Sequence, residues 1–462
     1  VGQCATVLAM ADAATSLEEK DALPGEAESG AAALEVQLGF VVESDANKKD
    51  AAAEEEEEEE EEDRDYLLPE FLPSKVGGRP SWIGGLVPSL DETARACPGC
   101  AAPMPLLLQV YAPLDHVNQD AFHRMLFILA CPNAACHHKE DVMPIKAFRV
   151  QLPRDNAYVA AELDELSDDE ACISNPADEA DFAFLTDEAC AVCGFHAKKR
   201  CSKCRSVRYC SRAHQVAHWK AGHSAECEGA PEKATTGVTV PRAPISRRRW
   251  QRRKPAEHAG LFKEMEIYTE AEDGATSSMV ERFSAIERAL QREGGDGDGE
   301  EEVLDELLAD VDWADLEVRN QELLKKHEEN MKQYQGEAFD EEEWRLKAGP
   351  DRTFALFQKV VEQNPGQVLR YCFAGTELWI ANTVRLLLAS DGASSAPACP
   401  TCKSARVFEL QVQPQLLFYL GSKEQFQKMS VDWGVLAVYT CAQSCTLKAD
   451  EATEEFVWRQ KN

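Results

Sequence analysis

The sequence has no long apolar run and comparatively few positive charges. No stretch of ~18 apolar residues occurs, so a membrane-spanning helix is not expected. The N-terminal stretch VGQCATVLAMADAATSLEEK has no basic start, so a secretory signal is not expected either. No glycine-rich loop follows a predicted strand and no phosphate-binding loop is present. We therefore expect no enzymatic activity. We expect a protein of the cytoplasm, the nucleus or both, and nuclear shuttling stays open.

The charge balance favours basic partners. The chain has 49 Lys and Arg against 82 Asp and Glu, a net charge of −33. Such a chain repels nucleic acid and attracts ribosomal proteins, histones or basic peptides. Direct nucleic acid binding is therefore not expected. The run AAAEEEEEEEEEDRD (51–65) cannot collapse on its own, so it is a solvated insertion or a contact for a basic partner.

Cysteine is abundant and arranged in pairs. The chain has 17 cysteines, and reduced thiols in pairs are typical of metal sites rather than disulfides in an intracellular protein. Only Cys4, Cys172 and Cys372 fall outside the pairs and the cluster at 190–227, and we interpret them as ordinary small residues.

An internal repeat joins the two ends of the chain. CPGCAAPMPLLLQV (97–110) aligns without gaps to CPTCKSARVFELQV (399–412), and GRPSWI (78–83) corresponds to GTELWI (375–380). An apolar run and a second cysteine pair follow in each copy. The repeat predicts a mainly β protein with some helix, in which N- and C-terminal halves form one composite β unit. Everything between 155 and 350 is expected to be an insertion into it.

The repeated cysteines predict zinc-ribbon-like knuckles, with one Zn²⁺ in each half, because four thiolates suit tetrahedral zinc. Two alternatives stay open: the cysteines are merely buried, or the halves exchange ligands. The expected ligands are Cys97, Cys100, Cys131 and Cys136 in the first half, and Cys399, Cys402, Cys441 and Cys445 in the second.

The central segment 190–227 holds eight further ligand residues and predicts two more zinc ions. Cross-bracing is the expected pairing, and His218 is a competing ligand. A unit of ~40 residues has too small a core to fold without metal, and filled ligand positions indicate structural zinc. The expected sites are Cys190, Cys193, Cys210 and His214 for one ion, and Cys201, Cys204, His223 and Cys227 for the other.

The remaining segments follow from composition and periodicity. We expect strands at 36–42 and 261–270 and an amphipathic helix over 352–365 that stops before Pro365. The predicted organisation begins with a disordered tail at 1–35 and the N-terminal half at 36–155, which contains an acidic insert at 43–65. The finger follows at 190–227. A linker at 228–349 contains a basic run, an acidic strand and an acidic helix at 303–334, and the C-terminal half occupies 350–462.

The central ligand string resembles the MYND-type zinc finger, although that family usually has cysteine at the position of His214. The strings FLPSKVGGRPSWI (71–83), AFHRMLFILACP (121–132) and the segment 414–458, taken with the finger, resemble the programmed cell death protein 2 family. This resemblance implies a chaperone of one new small-subunit ribosomal protein, the homologue of bacterial ribosomal protein S-five, which supports 40S subunit biogenesis. The alternative it implies is a nuclear adaptor in transcription, proliferation or apoptosis, associated with DNA.

Candidate partner contacts come partly from this resemblance and partly from the acidic charge of the chain. MYND folds bind short proline-containing peptides, and the chain is expected to be a monomer. The acidic stretch 264–273 and Trp82 or Trp379 are candidate client contacts, with the alternative that both tryptophans lie in the core. The basic run 242–254 is a nuclear-import signal or a solvated linker.

Overall fold

The computed structural model describes residues 35–42, 67, 71–139, 141–159, 188–227, 260–293, 298–309, 311, 313, 352–381, 396–420 and 431–461. The acidic run 51–65, the basic run 242–254 and nearly all of the predicted tail 1–35 lie outside them. No helix within these ranges is long and apolar enough to cross a membrane.

A closed barrel of ten antiparallel strands forms the body of the protein, which confirms the mainly β prediction. Its order is β1-β8-β2-β3-β4-β5-β12-β11-β10-β9, and β9 closes on β1. The strands are β1 Gln37–Val41, β2 Lys75–Val76, β3 Leu106–Tyr111, β4 His123–Ala130, β5 Ile145–Leu152, β8 Met265–Ala271, β9 Gln367–Tyr371, β10 Arg406–Val412, β11 Val435–Cys441 and β12 Thr453–Gln460. The hairpin of β6 Lys199–Arg200 and β7 Arg208–Tyr209 belongs to the central finger.

The two halves exchange their first strands. Strand β1 belongs to the N-terminal half but pairs with β8 and β9, whereas β8 pairs with β1 and β2. The last strands of the halves, β5 and β12, also pair with each other. The expectation that everything between 155 and 350 is an insertion is therefore wrong, because β8 supplies the hydrogen-bonding partner that the edge of β2 requires.

Equivalent contacts confirm the repeat. The side-chain oxygen of Gln109 accepts a hydrogen bond of 2.9 Å from the Ser81 amide. Gln411, its counterpart in the second copy, accepts one of 2.8 Å from the Leu378 amide. In both copies a glutamine on the third strand of the half therefore holds the Trp-Ile segment against the barrel.

The barrel interior combines an apolar core with a buried ion pair. Alternate residues of every strand point inward, and Trp433 is completely buried among them. The Arg124 guanidinium donates hydrogen bonds of 2.5 and 2.8 Å to the Glu409 carboxylate, and both side chains are fully buried. Strands β4 and β10 are separated by β5, β12 and β11, so this ion pair crosses the barrel and joins the halves.

Helices lie between the strands in the chain, and three of them pack together against the barrel. The helix predicted at 352–365 is confirmed as Arg352–Gln363. In place of the acidic helix predicted at 303–334, the structure has a helix at Asp298–Leu307, and residues 314–334 lie outside the described residues. Three of the helices, α4 to α6, share an apolar cluster that also contacts β11. The helices are α1 Ala134–His137, α2 Arg212–His218, α3 Ser224–Glu226, α4 Gly274–Glu293, α5 Asp298–Leu307, α6 Arg352–Gln363 and α7 Leu416–Leu420.

Candidate metal centres

Four groups of four ligand atoms converge among the described residues. In each group the sulfur and nitrogen atoms lie within 4.8 Å of one another. Each half of the barrel holds its own four cysteines, so the described residues show no ligand exchange between halves. The groups are Cys97, Cys100, Cys131 and Cys136; Cys190, Cys193, Cys210 and His214; Cys201, Cys204, His223 and Cys227; and Cys399, Cys402, Cys441 and Cys445.

The spacing of the ligand atoms fits tetrahedral zinc. Two thiolates bound at ~2.3 Å in tetrahedral geometry lie about 3.8 Å apart. The Sγ atoms of Cys193 and Cys210 are 3.6 Å apart, and those of Cys399 and Cys445 are 3.8 Å apart. All-sulfur and sulfur–imidazole donor sets of this size select zinc over hard cations. The clusters are therefore zinc-binding in character, as the finger at 190–227 requires.

One local turn builds all four CxxC knuckles. The residue four positions after the first cysteine has a left-handed backbone, and its amide donates to the carbonyl of that cysteine. Only one of these positions is glycine, so the knuckle geometry outweighs the strain of a left-handed backbone at the other three. The residues are Ala101 (φ 59°), Gly194 (φ 73°), Arg205 (φ 59°) and Lys403 (φ 65°).

The thiol pKa is lowered at Cys100, Cys201 and Cys402, and at the last two it falls to about 6. Burial opposes ionisation of Cys402, but hydrogen bonds from Ser404 outweigh it and lower the pKa of the thiol to about 6. Burial also opposes ionisation of Cys201. Hydrogen bonds from the Cys204 amide, the His223 side chain and the Lys203 amide outweigh it and lower the pKa of this thiol to about 6. The Cys201 and Cys402 thiols are therefore largely thiolate at neutral pH, which is the form that binds zinc.

The competing ligand His218 takes a different role. Its Nδ1 lies 2.9 Å from the Tyr209 hydroxyl, and its ring stacks on His223 at 4.9 Å between centroids. His218 belongs to neither finger group, whereas His214 Nδ1 lies 3.2 Å from Cys210 Sγ. The histidine that departs from the family pattern is thus the one placed among the thiols.

The finger is docked on the N-terminal half, which the sequence analysis did not predict. Arg79 donates from Nε to the Val192 carbonyl at 2.9 Å, and from Nη2 to a neighbouring carbonyl at 3.2 Å. The Trp82 indole donates to the Gly194 carbonyl at 2.9 Å, and the Arg95 guanidinium lies 4.1 Å above the Phe195 ring. The first knuckle of the finger is therefore part of the core of the barrel's N-terminal half.

Two ion pairs continue the docking contact at the surface. Lys198 donates to Asp91 at 2.8 Å, and Lys199 donates to Glu92 at 2.7 Å. The hydrogen bond from Lys198 lowers the pKa of Asp91 to about 2. Both lysines are largely exposed, so these pairs contribute little compared with the buried carbonyl contacts.

The tryptophan contacts proposed for a client are wrong, and the core alternative holds. Trp82 is 4% exposed and lies between Phe127 and Phe195, while Trp379 is 8% exposed and packs against Tyr439 and Phe408. Of the proposed contacts, only parts of the stretch 264–273 remain accessible.

The docking predicts that the two finger centres differ in their effect on the barrel. We expect Cys193→Ser to lower the melting temperature of the barrel, because its knuckle lies under Trp82 and Arg79. Cys204→Ser, the matched change in the other centre, should release zinc while leaving the barrel transition within a few degrees of wild type. Differential scanning calorimetry with zinc analysis measures both, and equal losses would contradict the assigned docking.

Fold and clusters define a zinc-binding β-barrel protein with an inserted, cross-braced finger. Family models match in three segments: the programmed cell death protein 2 N-terminal domain at 57–165, the MYND finger at 190–227, and the programmed cell death protein 2 C-terminal putative domain at 351–461. The chain belongs to the programmed cell death protein 2 family. Strands β1 and β8 lie outside all three segments.

Named relatives agree with this assignment. Programmed cell death protein 2 of Bos taurus is 35% identical over 398 residues, which is 85% of this chain and 91% of the relative. Programmed cell death protein 2-like of Gallus gallus is 27% identical over 84% of this chain and 93% of the relative. A Schizosaccharomyces pombe protein, probable 20S rRNA accumulation protein 4, is 33% identical over 100 residues, 21% of this chain and 24% of that protein. No solved structure matches.

Proposed function

We propose that the protein is a chaperone of a newly made, basic ribosomal protein of the small subunit, the homologue of bacterial ribosomal protein S-five, and supports 40S subunit biogenesis. The proposal is carried by the relative whose name refers to accumulation of 20S rRNA. The charge of −33 supports it physically, because an acidic carrier attracts a basic client and discourages premature contact with RNA. Such a carrier works in the cytoplasm and accompanies its client towards the nucleus.

Zinc has a structural role in this proposal. We assign one ion to each of the four ligand groups, four in all, and every group supplies four protein ligands. A centre filled by protein ligands leaves no open position for a substrate or an activated water. The proposed function is accordingly binding rather than catalysis, and the barrel acts as a monomeric platform.

Purification under mild conditions tests the proposal. The tagged protein is isolated from its own cells with nuclease treatment, and its partners are quantified by mass spectrometry. We expect one basic small-subunit ribosomal protein in near-equal amount, without the rest of the ribosome. Isolation of chromatin or transcription regulators without such a protein would contradict it.

An exposed stripe on the finger favours a second candidate function, that of a nuclear adaptor. Val216 and Trp219 lie one helical turn apart and are 45% and 40% exposed. An apolar stripe of this kind suits a short proline-containing peptide. If the wild-type protein isolates chromatin or transcription regulators and Trp219→Ala loses them, the adaptor function is favoured. If that variant retains the ribosomal protein, the finger is dispensable for client capture.

A further inference from the structure

The junction of the two halves holds an aromatic pair, one ring of which is exposed to solvent. Phe40 on β1 lies directly opposite Tyr268 on β8, and their rings stack at 5.3 Å between centroids with an interplanar angle of 24°. Tyr268 is 39% exposed, whereas the neighbouring Ile267 points into the barrel and is buried. This pair exists only because the halves exchange their first strands, since each half supplies one ring.

Acidic residues flank the exposed ring on the same face of β8. Side chains alternate along a strand, so Glu266, Tyr268 and Glu270 share the outer face. Glu270 is exposed, and Leu38, the residue opposite it on β1, is apolar and buried. We call Phe40, Glu266, Tyr268 and Glu270 the junction strip.

The nearest cations on the adjacent strands are engaged elsewhere. Lys75 on β2 is buried and bound to Glu264 at 2.5 Å. Arg370 on β9 is buried and bound to Glu272, with one contact at 3.0 Å. Neither cation therefore neutralises the exposed carboxylate of Glu270, and the strip keeps a negative potential around its aromatic surface.

We propose that the junction strip binds an extended, arginine-containing segment of a basic protein. A guanidinium stacks on the exposed face of Tyr268 while the exposed carboxylate of Glu270 accepts its hydrogen bonds. The aromatic ring favours arginine over lysine, because a planar guanidinium stacks and an ammonium does not. The inference rests on the proposed function, in which the basic segment belongs to the ribosomal client.

A fluorescein-labelled peptide of alternating arginine and glycine is the first probe, with the lysine–glycine peptide beside it. Binding to the full-length, zinc-loaded protein is followed by fluorescence anisotropy at low and physiological salt. We expect Tyr268→Ala to weaken binding of the arginine peptide about two- to fivefold and to reduce the preference for arginine. Glu270→Lys is expected to weaken both peptides roughly fivefold.

Matched variants separate a docking role from a folding role. Tyr268→Phe keeps the stacking surface and should bind like wild type. Phe418→Ala removes an aromatic side chain that is 74% exposed on α7 and does not belong to the junction strip, so it should also leave binding unchanged. Unaltered affinity in both Tyr268→Ala and Glu270→Lys overturns the proposal. Binding that appears only after deletion of residues 241–255 also overturns it, because the chain's own basic run then occupies the strip.

Client capture from cells distinguishes this inference from the proposed function. If the wild-type protein captures no basic ribosomal protein, the proposed function fails, whatever the peptides do. If the wild type captures it and Tyr268→Ala captures it equally well, the function stands and the strip assignment fails. A reduced yield with Tyr268→Ala and a normal yield with Tyr268→Phe supports both.

Discussion

Glu409→Ala is expected to lower the free energy of unfolding by ~3–5 kcal/mol, since it leaves the Arg124 guanidinium charged and unpaired inside the barrel. The carboxylate also accepts hydrogen bonds from the Thr440 and Tyr371 hydroxyls, the latter at 3.1 Å, so three partners lose their acceptor. Burial and the neighbouring Glu409 charge raise the pKa of Tyr371 well above its usual value, so in the intact protein this hydroxyl is protonated and donates to Glu409. Urea unfolding of zinc-saturated protein, followed by circular dichroism, measures the loss.

The double variant Arg124→Met with Glu409→Leu is the matched control. It removes both charges and replaces them with apolar side chains of similar volume, which is often close to neutral in other proteins. We expect it to recover most of the stability lost in Glu409→Ala. A double variant as unstable as the single one would show that the cost comes from packing or from the Thr440 and Tyr371 hydroxyls that lose their acceptor, rather than from an unpaired charge.

Removal of strand β1 is expected to have the second large effect, loss of the closed barrel. A chain that begins at residue 43 leaves the facing edges of β8 and β9 without hydrogen-bond partners. It also removes Leu38, which is 1% exposed. Open edges promote association between chains, so we expect aggregation and fast amide exchange in β8 and β9. Hydrogen exchange with mass spectrometry and gel filtration measure these changes.

A chain that begins at residue 35 keeps β1 and is the control for this truncation. A point variant makes the same test without shortening the protein. A Cβ atom added at Gly39 would lie 2.9 Å from Leu369 Cβ and 3.0 Å from Ile267 Cγ2, so Gly39→Leu should destabilise the barrel by ~1–3 kcal/mol through overpacking. Normal exchange protection of β8 and β9 in the residue-43 chain would show that β1 is dispensable.

The ligand residues could be predicted from the sequence because each CxxC knuckle is formed by residues that are close together in the chain. Two cysteines separated by two residues form one turn whatever surrounds them, and the structure draws the predicted residues into four groups. The exception was the choice between His214 and His218. Both lie on α2, and only the three-dimensional position of Tyr209 shows that His218 has another partner.

Strand exchange and finger docking could not be read from the chain. The first depends on pairing β1 with strands more than 220 residues away, and hydrogen bonds between distant backbones leave no periodic signal in either segment. Finger docking depends on hydrogen bonds from Arg79 and Trp82 to backbone carbonyls of the finger. Every residue has a backbone carbonyl, so the sequence of the finger does not show where these bonds form. The same limit applies to the tryptophans: an aromatic residue in a loop next to a strand is compatible with either exposure or burial.

The sequence by itself determined the mainly β composition, the repeat, the zinc-type ligands and the acidic charge, because these follow from residue type and short-range spacing. Only the tertiary structure decided that the halves close one barrel by exchanging their first strands, that an ion pair of Arg124 and Glu409 crosses its interior, and that Phe40 and Tyr268 form one surface. The physical reason is that these features depend on which strand edges and which buried charges, distant in the sequence, pair with one another. That pairing is set by the closed barrel as a whole and not by any single segment.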